Sequence, residues 1–142
     1  MTERPLFTSL ARATLLLESL QQECLEPIGL TFVEYSVLRV LMDGAMSLSR
    51  LAEAAVRTTG GMTKIVDRLE RRGLVERTPD PADRRGVLVG LTEDGRELSR
   101  KASDAYSIGR DRILERLSAS DRRAIERGLV RLVTAFEEDR ES

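Results

Sequence analysis

The chain has 142 residues, 41% of them apolar and 33% charged, with a net charge of −1 at neutral pH and one cysteine. That length suits one compact domain, and no apolar run approaches the roughly 20 residues that a bilayer-spanning helix needs. A lone Cys24 excludes an internal disulfide and, with charges on both sides of the N-terminal apolar positions arguing against an export signal, leads us to expect a cytoplasmic protein.

In chain order, residues 6–25 read as a long first helix. Leu10, Ala13, Leu17, Leu20 and Cys24 recur at alternating spacings of three and four, which makes one apolar seam. Pro27 and Gly29 end it. Thr31 and Glu34 form a capping box that opens a second helix, with Tyr35, Leu38, Leu41 and Met42 inward and Asp43-Gly44 closing it. Ser47 is the expected N-cap of a short third helix carrying Leu48, Leu51, Ala52 and Ala55 on one side. After a break over residues 56–58, a fourth helix runs from Thr59 to Arg72. Met62, Ile65, Val66 and Leu69 form its apolar stripe, and Thr63, Lys64, Asp67, Arg68 and Arg71 face outward. Gly73 is placed to stop this helix in a left-handed conformation. Leu74–Thr78 and Val87–Leu91 read as two strands joined by a polar tip containing Pro79, Pro81 and Gly86.

Thr92 caps a long fifth helix whose apolar side is Leu98, Ala102, Ala105, Ile113 and Leu117. A weaker cap at Ser118 and Asp121 begins a sixth, with Ile125, Leu129, Leu132, Val133 and Phe136 on one face. The expected fold class is therefore mainly α with a small β wing.

Residues 57–85 hold an excess of three positive charges, so the rest of the chain is acidic. For steering toward phosphate, the location of charge matters more than its sum. Two helices joined by a tight turn follow the helix-turn-helix plan, whose second helix enters the major groove of DNA. Thr58 and Thr59 at that helix's N-terminus suit a phosphate, Gly60 and Gly61 permit close approach, and Thr63, Lys64 and Arg68 are placed to address base edges or backbone. Arg84 and Arg85 on the hairpin suit a narrow, electronegative minor groove. Asp83 beside them is expected to pair with one guanidinium and fix its direction. Taken singly, each of these residues also fits an ordinary cap, loop or solvated face.

The run from Gly29 to Gly95 resembles the MarR family of winged helix-turn-helix transcriptional regulators. The pieces that carry the resemblance are GLTFVEYSVLRVL, LSRLAEAA, GGMTKIVDRLERRGLVER and, most specifically, DPADRRGVLVGLTEDG. It implies a winged domain over residues 31–91, flanked by dimerisation helices in residues 1–30 and 92–142. It implies a homodimer joined through Leu10, Leu17 and Leu20 of the first helix and Ile125, Leu129, Leu132 and Phe136 of the last. Two winged domains then meet successive turns of a pseudo-palindromic double-stranded operator, usually as a repressor that a small organic, often aromatic, effector releases. Residues 58–68 would meet the major groove, with Arg84 and Arg85 reaching the minor groove or its phosphates. Recognition elements for such half-sites stand about 34 Å apart, a spacing a linked pair reaches and a lone domain of this size does not.

For the effector, Arg12 and Arg39 are the cations nearest the expected crevice, with Leu16, Phe32 and Tyr35 as walls, a set that suits an anionic aromatic acid. A peroxide-sensing branch of the family uses a cysteine early in the first helix. Cys24 lies instead near that helix's end in the apolar seam, where a thiol tends to be inert, although a redox-sensing regulator remains an alternative. The chain has no tryptophan of the kind urate-sensing relatives use, and with no histidine and one cysteine it offers no transition-metal set. No cofactor is implied. An enzyme is not expected, since Lys64 and Lys101 are the only lysines and no phosphate-cradling glycine motif is present. A winged helix that binds protein instead of DNA is the other alternative.

Overall fold

The computed structural model describes residues 5–55 and 59–142. Helix α1 (Pro5–Leu25) runs into a short 3-10 turn (Glu26–Ile28) that Gly29 closes at φ 81°. Helices α2 (Phe32–Leu41), α3 (Leu48–Ala54) and α4 (Thr59–Arg71) follow. Strand β1 (Met46–Ser47) precedes α3, and β2 (Val75–Asp80) and β3 (Asp83–Leu91) follow α4. Helices α5 (Glu93–Leu114) and α6 (Ala119–Glu141) complete the chain. It divides into two compact units, residues 1–106 and 107–142.

In the first unit the caps set the helix starts. The Thr31 side chain accepts from the Glu34 N–H at 3.1 Å while Glu34 accepts from the Thr31 N–H at 3.0 Å, so two of the donors that a helix start leaves unpaired are satisfied reciprocally. Ser47 accepts from Arg50 N–H to start α3, and Thr92 accepts from Gly95 N–H to start α5. Gly73 has φ 72°, a left-handed stop for α4 that any Cβ would strain. The Thr92 hydroxyl donates to the Gly73 carbonyl at 2.6 Å, so the end of α4 and the start of α5 share one anchor.

The core gathers Tyr35, Val37, Leu38 and Leu41 of α2, Leu51 and Ala52 of α3, Met62, Val66 and Leu69 of α4, and Val75 and Val89 of the sheet. Ala102 and Tyr106 of α5 and Leu25 of α1 join them. The α4 stripe holds as expected, except that Ile65 is half-buried. On α5, Ser99 and Tyr106 are buried beside Ala102, residues the aliphatic pattern passes over.

Three expectations require correction. In α1 the buried positions are Gln21 and Leu25, whereas Leu10, Leu20 and Cys24 are half-buried and Ala13 and Leu17 exposed. The helix meets the rest of this unit through its last turns, so the seam along its length is mostly not core of this unit. The hairpin is longer than the hydrophobic runs indicate: Pro79 and Gly86 lie inside β2 and β3, and only Pro81 and Ala82 form the turn. A register irregularity between Pro79 and Asp80 accommodates this, as bulges do near strand ends. The sheet also has a third strand, in order β1-β3-β2, with Met46 opposite Val89 and Ser47 opposite Leu88.

The second unit holds the end of α5 and all of α6. Ser118 accepts from Asp121 N–H to cap α6, and the Arg122 guanidinium donates to the Leu114 carbonyl. Ile125, Leu129, Val130, Val133 and Phe136 are exposed along α6, and Leu132 is half-buried. In the first unit α1 likewise exposes Leu6, Phe7, Leu15, Leu16 and Leu17.

Candidate nucleic-acid interface

Helix α4 turns Met62, Val66 and Leu69 inward, which fixes the opposite face toward solvent. Lys64, Asp67, Arg68 and Arg71 lie there exposed, as does Gly61, and Thr63 is half-buried. Thr58 and the side chain of Thr59 lie outside the described residues. A Cβ placed on Gly60 would meet nothing within 4 Å, and its φ is not positive. Neither internal packing nor backbone strain therefore demands glycine at that point.

Two clusters of ion pairs, both invisible to sequence spacing, brace this face. The first centres on Glu34, which is only 4% exposed. Beyond its capping bond it pairs with Arg72 at 3.2 Å and Arg68 at 3.5 Å, tying the start of α2 to the last turns of α4. Burial pushes the Glu34 carboxyl up, but hydrogen bonds from Thr31 and the charges of Arg68 and Arg72 outweigh it. The result lies below the usual glutamate range. The second centres on Arg77 of β2, which reaches Asp67 at 2.6 Å and Glu70 at 2.7 Å on α4, while its own N–H donates to Glu70. The wing is thereby stapled to α4. Arg68, expected to address DNA directly, is thus partly committed to the frame, although its side chain remains half exposed.

The wing tip is built by its acids. Asp80 accepts from Ala82 N–H at 2.9 Å, and Asp83 accepts from Arg85 N–H at 3.0 Å. Asp83 therefore acts on the backbone, and the pairing with a guanidinium expected from sequence is replaced by a local turn that its short side chain reaches more easily. Gly86 completes the tip: a Cβ there would sit 3.1 Å from the Asp80 Cβ and 3.2 Å from the Asp83 Cβ, tighter than ordinary contact. Arg84 and Arg85 lie on the exposed start of β3. Among the described residues, Lys64, Arg71, Arg84 and Arg85 take part in none of these ion pairs.

Of the expected effector residues, only Phe32 lines the cleft between α1 and α2. Phe32 and Tyr35 are in contact, and both rings pack against Tyr106 with centroids 5.9 Å away. Tyr35 is buried and donates to the Ser103 hydroxyl at 3.3 Å, so it belongs to the core. The cleft beside Phe32, about 570 Å³, lies between the end of α1 and the start of α2, and Arg12, Leu16 and Arg39 are not among its lining residues. Those three are exposed positions on α1 and α2 whose spacing along the chain did not determine where they point. The lining instead carries Glu18, Glu26 and Glu34 with Gln21 and Gln22. Cys24 is half-buried against the core.

A sequence model described as the MarR family matches residues 28–86. The repressor Rv2887 of Mycobacterium tuberculosis (strain ATCC 25618 / H37Rv), described as an HTH-type transcriptional repressor, is 31% identical over 131 residues, covering 92% of this chain and 94% of that protein. The chain belongs to the MarR family. It is accordingly a transcriptional regulator and not an enzyme. The match to YhbI of Bacillus subtilis (strain 168), an uncharacterised HTH-type regulator, is 36% identical over 58% of this chain but spans only 54% of that protein. Among solved structures, the MarR-family fold is shared with the repressor CouR bound to a 23-mer DNA duplex, at TM-score 0.82 and 29% identity over 88% of this chain and 89% of that one. BpsR of Bordetella bronchiseptica, whose DNA binding is regulated by 6-hydroxynicotinic acid, matches at TM-score 0.81 and 31% identity over 89% and 91%. Among the described residues no helix is long and apolar enough to cross a membrane.

Proposed function

We propose that this MarR-family regulator binds a pseudo-palindromic duplex operator as a homodimer in the cytoplasm, represses transcription there, and is released by a small organic effector. The observation that carries the DNA reading is the division of labour among its charges. Arg68, Arg72 and Arg77 brace α4 and the wing, while Lys64, Arg71, Arg84 and Arg85, on exposed positions, have no ion-pair partner among the described residues. Thr58, Thr59, Gly61, Thr63, Lys64 and Arg68 would meet the major groove, with Gly60 allowing the backbone to come close. Arg84 and Arg85 would reach the neighbouring groove, with Asp83 fixing the backbone that presents them. The duplex bound to CouR supports this use of the shared fold.

Dimerisation finds support in the exposed apolar residues of each unit, since apolar patches of this extent mark interaction surfaces. Leu10, Leu17 and Leu20 in the 1–30 segment, and Ile125, Leu129, Leu132 and Phe136 in the 92–142 segment, would form the contact. Effector control finds support in BpsR and in the cleft beside Phe32.

The test is a titration of purified protein with duplex from the flanking intergenic region and with scrambled duplex, across salt. Specific binding should be tighter on the flanking sequence and fall steeply with salt, because each phosphate contact releases counterions. Equal, salt-insensitive or absent binding would overturn the reading and favour a protein-binding winged helix.

A further inference from the structure

The cleft between α1 and α2 is the feature that the DNA-binding reading leaves unexplained. At about 570 Å³ it has the size of a small-ligand pocket. Its lining includes the apolar residues Leu30 and Phe32. It also includes the acidic residues Glu18, Glu26 and Glu34. A row of acids alone is usually only a solvated face, but Gln21 differs. It is 8% exposed, it lines the cleft, and its amide makes no hydrogen bond among the described residues. No fully enclosed side-chain polar atom among those residues lacks a partner, so this amide is open, and the space before it is the cleft. An amide that makes no bond within the fold and is open to the cleft is free to exchange its water for a polar group of a ligand.

We propose, on the reading that an effector controls the protein, that this cleft takes a small aromatic cation. Its ring lies against Leu30 and Phe32, and its ammonium donates to the Gln21 carbonyl oxygen within the field of Glu18 and Glu26. The exposed part of Phe32 adds cation–π attraction. An anionic acid meets the reverse: two uncompensated carboxylates and no lining cation. Arg72 does come close to the wall beside Gly29, but its guanidinium is held by Glu34. The arrangement also gives the ligand leverage. Glu34 belongs both to the cleft wall and to the ties that hold Arg68 and Arg72 of α4, so a cation drawn toward it competes with those ties.

The test pairs two probes of the same shape and opposite charge, 1-naphthylmethylamine and 1-naphthoate, titrated calorimetrically into the full chain at low salt. The amine should bind at least about tenfold more tightly, the scale of one charge-assisted hydrogen bond. Gln21→Leu, with folding followed by circular dichroism, should weaken amine binding by about tenfold. The exposed pair Glu18→Gln and Glu26→Gln should narrow the preference, and it carries the test if the Gln21 variant misfolds. Naphthoate binding as well as the amine, neither probe binding, or amine affinity unchanged in the variants would overturn the proposal. The same preparation is titrated with duplex DNA. Intact DNA binding without amine binding sinks only this inference, whereas loss of DNA binding sinks the regulator reading instead.

Discussion

Replacing Glu34 isolates the brace between α2 and α4. Glu34→Gln keeps the side-chain length and the oxygen that accepts from Thr31 N–H, removes the charge, and puts an NH2 where Oε2 faces Arg68 and Arg72. The Thr31 bond, made by a carboxylate that is 4% exposed, should weaken toward the strength of a neutral hydrogen bond, a loss of about 1 kcal/mol. The contacts to Arg68 and Arg72 add less, because those side chains are 51% and 37% exposed and solvent screens them, so each is taken as about 0–0.5 kcal/mol. The expected loss is therefore about 1–2 kcal/mol at pH 7. At about 2–4 °C per kcal/mol for chains near this size, the melting temperature falls by roughly 2–8 °C. Glu34→Ala removes the capping box as well and should lose about 1 kcal/mol more.

The pH dependence tests the cause. Because the folded carboxyl lies below its unfolded value, the unfolded chain binds the proton more strongly. The stabilisation is complete above the unfolded value of about 4.3 and is lost as pH falls through the folded one. Thermal melts of parent and Glu34→Gln at fixed protein concentration should differ at pH 7 and converge progressively below about pH 4.3. Equal stability at pH 7, or a gap that persists in acid, would refute the electrostatic account of this brace.

Four further substitutions probe the remaining parts. Arg85→Ala should weaken duplex binding on all sequences and lower the slope of log affinity against log salt by about one, read by fluorescence anisotropy. Lys64→Ala should instead change which base pair is preferred, by about 1–3 kcal/mol at one position in a panel of single-substituted operators. Leu129→Glu, at an exposed position of α6, should shift the sedimenting species toward half the parent mass. Gly95→Ala should destabilise by about 2–3 kcal/mol or more in urea unfolding, since its Cβ would lie 1.9 Å from the Leu74 carbonyl oxygen and force the backbone apart.

The helices were legible because their signals are local. The bonds at Thr31, Ser47, Thr92 and Ser118 span three residues, and the α4 stripe repeats within one element. What stayed hidden depends on distance along the chain. The Tyr35–Ser103 bond joins residues 68 apart, and Arg72 reaches Glu34 across 38, separations at which no periodicity operates. Strand β1 has two residues, too few to display alternation, and it exists because β3 offers an edge to pair with. The hairpin was cut short because Pro79 and Gly86 look like breakers. At the end of an edge strand with a register shift a proline is tolerated, and the closeness of Asp80 and Asp83 favours a residue without Cβ at position 86. The lining of the cleft beside Phe32 was hidden for a related reason: it depends on how two helices face each other.

The acids of the winged region explain why a chain with net charge −1 can still present a basic surface. Five of the acids that seem misplaced for DNA binding have a structural partner. Glu34 holds Arg68 and Arg72, Asp67 and Glu70 hold Arg77, and Asp80 and Asp83 hold backbone N–H groups at the tip. The Glu34 cluster carries a net +1 and the Arg77 cluster a net −1, so at a distance the two together contribute little field, while Asp80 and Asp83 keep their charge at the tip. On α4 and the wing, Lys64, Arg71, Arg84 and Arg85 are exposed cations whose charge is not cancelled by an ion-pair partner among the described residues. A groove lined with phosphate responds to that local residue of charge, not to the total over the chain. Removing Asp67 should therefore not strengthen duplex binding as simple charge counting suggests, because the cation it frees, Arg77, is the one that keeps the wing against α4.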